Sequence, residues 1–457
     1  MTFREWRKWF KELPWTVKWF VILVLLRPII DNFYWVKEIN PLFSPLNIVG
    51  VLTPVLIIWS LSSKSIPPRR ISNVDLLLIF YGMLVALNSF ILDITYMKME
   101  VIGNSIKFII PPFLFIYLRR AIRSERDLNG ILTAFLYSGL YLVGMLGYET
   151  FVNPLQESFV TEGRGGGARL IGEYNDMMNY AIYIVGALII SGYFFLRNVY
   201  RKTASSNYTM KFYIFLGVIL FGLIGIKHVS TWAVCAAIFA ILVFFNLKNF
   251  KGFIVILFLI VIAGVFTGDT IYTEQIEPLI NKEMNVIEGN AETTVALNGR
   301  VGRWERYFEI WFSEMSLIDR MFGVGISGHK SAVAMVGAGM HSDFVRNLFL
   351  AGIVGLTIYL IFLFQILFKF TRFKIPEKFL ILASMAAIVL HSVSTLPLMY
   401  SSYMYLLLTV FSYACLPLKS AYSSFTWKLP KRSRRVMQFP PSPFPSQQPP
   451  EQLTGNI

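Results

Sequence analysis

The 457-residue sequence predicts an all-α integral membrane protein of about twelve transmembrane helices with a large outer loop. Three observations carry this prediction. Hydrophobic residues make up 55% of the chain and charged residues only 15%, whereas a soluble domain carries roughly a quarter charged residues. Mostly apolar runs of about 17–24 residues recur along the whole length, each enough for a spanning helix at about 1.5 Å rise per residue. Lysine and arginine gather in alternate connections between those runs. The runs do not alternate with period two, which excludes a closed β-barrel.

The predicted helices lie near 16–30, 47–62, 74–92, 101–118, 130–148 and 177–196, then 210–226, 230–246, 252–267, 345–368, 379–394 and 398–418. The first is retained as a helix, because no small-residue cleavage site follows it and Arg27-Pro28 interrupts its end. The basic clusters are Arg4, Arg7, Lys8 and Lys11; Lys64, Arg69 and Arg70; and Arg119, Arg120, Arg123 and Arg126. They continue with Arg197, Arg201 and Lys202; Lys248 and Lys251; Lys369, Arg372, Lys374 and Lys378; and Lys431, Arg432, Arg434 and Arg435. Basic segments resist translocation, so these connections and both termini are expected in the cytoplasm. The net charge of +15 thus reads as topology and not as a nucleic-acid footprint. The two cysteines, Cys235 and Cys415, fall inside predicted helices and read as small packing residues.

With this topology, residues 1–267 hold helices 1–9 with an outer loop at 149–176, and residues 345–418 hold helices 10–12. Between them, 268–344 is far longer than an ordinary connection and is not low-complexity. Its stretch NGRVGRWERYFEIW (298–311) places Trp304, Tyr307, Phe308 and Trp311 at helical spacing, which predicts an amphipathic helix in an outer subdomain. Residues 419–457 are proline-rich without apolar period and are expected to be a disordered cytoplasmic tail.

The polar residues of the outer side carry the chemistry. On the 298–311 helix, Arg300, Arg303, Trp304 and Tyr307 share one face. Neighbouring guanidiniums repel unless an anion lies between them, and arginine grips phosphate oxygens bidentately; the plain alternative is an interfacial helix touching lipid headgroups. GRGGGARLIGEYNDMMNY (163–180) sets Arg164 and Arg169 beside a glycine run, with Asn175 and Asn179 entering an apolar helix. It lacks the Gly-Lys-Ser/Thr of a phosphate-binding loop, although a glycine-rich approach to a helix start can cradle an anion; the alternative is a flexible loop. GMHSDFVRNLFLAGIVG (339–355) packs His341, Asp343 and Arg346 at the start of a spanning helix. An imidazole near neutral pKa is the usual proton acceptor for a hydroxyl nucleophile, and the alternative is a helix-capping histidine. Lys227 and His228 at a helix rim read equally well either way, His391 reads as a packed histidine with one hydrogen-bond partner, and His329 falls in a loop. No group has metal-ligand spacing, so no metal and no cofactor are expected.

At these residues the sequence resembles the O-antigen ligase and O-antigen polymerase superfamily. The likeness lies in the order Arg169, Gly172, Asn175; then Gly299, Arg300, Trp304; then Gly323, Gly325; then His341 to Asp343; then Gly352, Gly355, and it covers about 164–360. The text departs from the family pattern at GIKHVSTWAV, where Lys227 or His228 stands in for an arginine, and at Ser342, where asparagine usually follows the histidine.

The resemblance implies a GT-C-like fold in a bacterial inner membrane, with the 268–344 loop and the active site facing the periplasm. It implies a metal-independent, inverting glycosyltransferase moving a polyprenyl-diphosphate-linked glycan to a sugar acceptor, either a growing glycan or lipid A core. In that scheme His341 is the general base, oriented by Asp343, and Arg169, Arg300, Arg303 and Arg346 bind the diphosphate. Asn175, Asn179, Trp304, Lys227 and His228 contact donor or acceptor. Membrane lipids and a chain-length regulator are the candidate partners, and nucleic acid is not one. The alternative is a polysaccharide or small-solute transporter or flippase, which would place ionisable residues near mid-bilayer; here that describes only Arg27, Lys107 and His391.

Overall fold

In a computed structural model, the structure describes residues 1–40, 43–93, 99–152, 174, 177–201, 206–226, 228–246, 272–273, 277–292, 296–418 and 422. Among them there is no strand. The predicted helix 252–267, Arg169, Gly172, Asn175, Lys227 and, apart from Tyr422, the tail 419–457 lie outside the described residues.

The helices, in chain order, are α1 (Phe3–Glu12), α2 (Trp15–Asn32), α3 (Val36–Ile39), α4 (Pro45–Ser62), α5 (Asn73–Asp93), α6 (Met99–Ala121) and α7 (Glu125–Phe151). They continue with α8 (Met177–Tyr200), α9 (Ser206–Ile226), α10 (Val229–Asn246), α11 (Glu277–Ile287) and α12 (Ala296–Ser313). The last are α13 (Leu317–Phe322), α14 (Gly325–Val336), α15 (Asp343–Lys369), α16 (Ile375–Ser394) and α17 (Ser401–Ala414). Each predicted span inside the described residues coincides with a helix. Six segments are long and apolar enough to cross a membrane: Pro45–Ser62, Glu125–Phe151, Met177–Tyr200, Val229–Asn246, Asp343–Arg372 and Ile375–Ser394. The chain is a multi-pass helical membrane protein. Of the other predicted spans, α17 is only 14 residues long, and α2 carries Lys18, Arg27 and Asp31 within its apolar run.

The bundle is built around α8, which is almost wholly buried, while α4 turns Val51, Val55, Ile58 and Trp59 outward. So much exposed apolar surface on one helix suits a lipid environment and not water. Three of the ionisable groups buried in the bundle form ion pairs, which lowers the cost of holding them in a low-polarity interior: Arg27 Nε lies 2.8 Å from Asp31, Arg119 pairs with Asp75, and Arg197 Nε lies 2.7 Å from Glu125.

Helix α1 was not foreseen from the apolar runs, because it lies against the bundle on one face only. Thr2 and Glu5 form a capping box, with Glu5 accepting the Thr2 N–H at 2.7 Å. Its indoles pack on α7: Trp6 donates to the Gly130 carbonyl at 2.9 Å, and the Trp9 ring occupies the place a Cβ on Gly130 would need. Arg4, Arg7, Lys8 and Lys11 stay exposed.

The 268–344 region contains the expected amphipathic helix as α12, together with α11, α13 and α14. Its own small core, Tyr307, Trp311, Met315, Ala332, Val336 and Met340, continues into Val345, Leu348 and Phe349 of α15. The predicted loop around His329 is instead helix α14. The glycines that read as loop punctuation are used for one backbone turn at Gly325 (φ +64°), after which the chain is regular.

Candidate functional site

The site begins with a backbone crossing made by glycines. Helix α15 is broken at Gly352, whose φ of +66° and ψ of −168° lie in a region essentially reserved for glycine. The segment Met321–Val324 passes through this break. Gly323 (φ +89°) approaches so closely that a Cβ there would lie 2.5 Å from Ala351 N, and Gly352 meets the Met321–Phe322 backbone reciprocally. In an unbroken helix the Phe349 carbonyl would accept from residue 353; here it accepts the Val324 N–H at 2.7 Å. A third strand of contact comes from α5, where Asn88 donates to the Phe322 carbonyl and the Asn88–Ser89 backbone lies against Gly325. Gly323, Gly325 and Gly352 thus allow the crossing that separates the first half of α15, Asp343–Ala351, from its second half.

That first half is buried and polar. Ser342, at its N-cap, donates its hydroxyl to the Ser392 carbonyl of α16 at 3.0 Å. Asp343 is 1% exposed, and its Oδ2 accepts the Leu398 N–H at 2.9 Å. Arg346 is 6% exposed, with its guanidinium 4.9 Å from the centre of the Phe108 ring. Its Nε and Nη1 donate to no protein acceptor, and no carboxylate among the described residues comes within 4.0 Å of it. Asn347 is 1% exposed and accepts the Tyr81 hydroxyl on Oδ1, while its Nδ2 has no protein partner. A neighbouring apolar cavity bounded by Tyr81, Phe108, Tyr359 and Leu398 has a volume of only about 40 Å³. It is about the size of one water molecule and far too small for a lipid tail.

His341 stands at the rim, exposed, one residue before the N-cap of α15. Its φ is +46°, the only positive value at a non-glycine residue among the described residues. Such backbone persists where surrounding structure holds it, and α12 supplies the hold. Trp304 donates its indole N–H to the Met340 carbonyl at 3.0 Å, and Tyr307 donates to the Ala338 carbonyl. Burial pushes the Tyr307 phenol up to about 12, so it remains a donor at neutral pH. Gly339 leaves room beside the ring: a Cβ there would lie 3.4 Å from His341 Nε2.

Trp304, an expected substrate contact, supports the histidine segment through its bond to Met340. Arg300 follows Gly299, whose φ is +74°, and lies one turn before Trp304 on the same helix. Arg303 donates its Nε to the Gly299 carbonyl at 2.9 Å, steadying the bend that presents Arg300. Asp343 was assigned the orientation of His341; its carboxylate faces inward to Leu398 N and lies in the field of Arg346 and Tyr81, whereas the imidazole is exposed. Asn179 lies in the first turn of α8, a helix whose Tyr183 hydroxyl bonds Asp31 of α2 at 2.9 Å. His228 precedes α10, with Nδ1 2.5 Å from Thr231 Oγ1. His391 is fully buried, with Nδ1 3.1 Å from the Tyr403 hydroxyl.

Sequence reasoning missed Tyr81, Phe108, Asn347, Ser392 and Leu398. For Asn347 a signal existed, since Asp343, Arg346 and Asn347 stand at i, i+3 and i+4 on one helical face. The others come from distant apolar runs and carry no local mark. In α14, His329 is pushed down to about 3 by burial and then by the positive charges of Arg346 and Lys330. It is therefore neutral at pH 7. Among the described residues no three His, Cys, Asp or Glu side chains converge as metal ligands would. Chemically, the arrangement offers a rim imidazole able to take a proton and buried N–H groups suited to an anion. No protein-family profile matches this chain, and no curated protein aligns with it significantly.

Proposed function

We propose that the chain is a bacterial inner-membrane glycosyltransferase that moves a glycan from a polyprenyl diphosphate to a sugar hydroxyl on the periplasmic side. The twelve-span topology with cytoplasmic termini, expected from the alternating basic clusters, is part of this reading. The observation that carries it is Arg346. A guanidinium buried without an ion pair costs several kcal/mol, about the scale of a domain's whole stability, which lies around 5–15 kcal/mol. A bound anion removes that cost. His341 stands five residues before Arg346 and one residue before the N-cap of the same helix, and a diphosphate leaving group next to a general base fits that order.

In the proposed reaction His341 removes the proton of the acceptor hydroxyl. The freed oxygen attacks the anomeric carbon of the donor sugar from the face opposite the diphosphate. The bond from the anomeric carbon to the diphosphate oxygen breaks, the electron pair leaves with the polyprenyl diphosphate, and the configuration inverts. Arg346 and Arg300, with Arg169 and Arg303, stabilise the charge that grows on the leaving group. Asp343 fixes the start of α15 through Leu398, and Trp304 fixes the loop that bears His341. Asn175, Asn179, Lys227 and His228 remain candidates for glycan contact. The likeness of the ordered motifs to O-antigen ligases and polymerases supports the same reading. Growing glycan and lipid A core are both admissible acceptors.

The test is His341→Ala at normal protein level. Loss of a general base costs about 10²–10⁴-fold in rate, so glycan transfer stops and the lipid-linked donor accumulates on the periplasmic leaflet. A transporter or flippase would instead trap its substrate on the cytoplasmic leaflet. Normal glycan chain lengths with His341→Ala would overturn the proposal.

A further inference from the structure

Arg346 is not the only unsatisfied donor in the broken helix. Asn347, adjacent to it and 1% exposed, has an amide N–H₂ with no protein acceptor. Its other end is occupied, because the Tyr81 hydroxyl of α5 donates to Oδ1 across 266 residues of sequence. A hydroxyl hydrogen aimed at Oδ1 holds the amide in one orientation and leaves the N–H₂ end facing away from Tyr81. Tyr81 also lies within electrostatic reach of Arg346 and Asp343, and Arg346 and Asn347 are consecutive buried residues of the same helix. The unmatched atoms are therefore all donors: Arg346 Nε and Nη1, and Asn347 Nδ2. The adjacent carboxylate oxygen, Asp343 Oδ2, is already engaged by Leu398 N–H. Phosphate oxygens accept hydrogen bonds and carry no proton to place, whereas a sugar hydroxyl brings a hydrogen that needs an acceptor of its own.

We infer that Asn347 is a second anion-binding residue of this site, donating to a phosphate oxygen beside Arg346, and that Tyr81 is the residue that positions it. The inference rests on the reading of the site as a diphosphate site. A neutral amide adds a bond without adding charge, and the hydroxyl that sets its direction reaches the broken helix from the first third of the chain.

The experiment uses the full chain in lipid nanodiscs, with thermal unfolding followed as inorganic diphosphate or farnesyl diphosphate is titrated. The key variant is the pair Tyr81→Phe with Asn347→Leu. Replacing both partners of a buried hydrogen bond by apolar groups of similar shape is nearly neutral for folding. Loss of a hydrogen bond to a charged ligand is worth about 1.5–3 kcal/mol, or roughly 10–100-fold in affinity. The expected result is an unliganded melting temperature close to that of the natural chain and ligand affinity weakened about 10–100-fold. Tyr81→Phe alone should weaken binding in the natural background and change nothing further once Asn347 is leucine, which a merely structural tyrosine would not do. Stabilisation by farnesyl diphosphate only supports a lipid headgroup as the source of the phosphate; equal stabilisation by both supports the diphosphate alone. If Arg346→Gln abolishes binding and the double variant binds normally, the role of Asn347 is refuted and the diphosphate reading stands. If neither ligand stabilises the natural protein, both fall.

Discussion

Replacing Gly352 by alanine should destabilise the protein more than almost any other single methyl addition. Two terms add. The φ of +66° with ψ of −168° lies where only glycine is comfortable, and an L residue there costs on the order of 1–3 kcal/mol. The new Cβ would also lie 2.5 Å from Phe322 N and closer still to the Met321 carbonyl. These are backbone atoms, which cannot swing aside as a side chain can, and overpacking of this kind costs about 1–3 kcal/mol. The sum, about 2–6 kcal/mol, is a large part of the roughly 5–15 kcal/mol that holds a typical domain folded. The comparison variant is Gly139→Ala in α7, where a Cβ meets nothing within 4 Å and the change lies between neutral and about 1 kcal/mol stabilising. Unfolding of both variants in nanodiscs, followed by tryptophan fluorescence under increasing denaturant, measures the difference. A Gly352→Ala variant within about 1 kcal/mol of the Gly139→Ala protein would refute the crossing of Met321–Val324 through the break in α15.

Further outcomes follow from the same geometry. Trp304→Phe keeps the ring but removes the N–H bond to Met340, worth about 0.5–1.5 kcal/mol; a fall in kcat with KM unchanged is expected, and unchanged kcat would return Trp304 to substrate contact. Arg300→Lys should be nearly as damaging to glycan output as Arg300→Ala, because a point charge cannot replace a bidentate fork; full output from the lysine variant at normal expression would make Arg300 a lipid contact. Single cysteines at Asn290 and Ser442, in a chain carrying Cys235→Ala and Cys415→Ala, should label from outside intact cells at Asn290 only. Labelling at Ser442 alone would invert the topology and remove the proposed function with it.

The fold was legible at the level of helices because burial in a bilayer leaves a length-dependent signature in composition. The apolar runs coincide with α2, α4–α10 and α15–α17, with ends displaced by a few residues. Helix α1 escaped because its apolar face, Trp6 and Trp9, is only two indoles wide and is anchored by a glycine far along the chain. In the site, His341, Arg346 and Trp304 were legible as residues that stand out from their neighbours. Their tasks were partly hidden. Asp343 and His341 are two residues apart, which invites pairing on paper, yet the N-cap turn between them sends one side chain inward and leaves the other exposed.

Composition and periodicity by themselves determined a helical, multi-pass membrane protein, the places of its apolar helices and the local grouping of His341, Asp343 and Arg346. Only the tertiary structure decided that Gly323, Gly325 and Gly352 meet in one backbone crossing, that α12 clamps the histidine segment, and that Tyr81 reaches Asn347. The physical reason is the range of the forces involved. Helix formation and burial in lipid depend on neighbours within a few turns, so they are written in local pattern. A close backbone approach or a buried hydrogen bond depends on which distant segment arrives opposite, and one tyrosine in an apolar run looks like any other until its partner is in place.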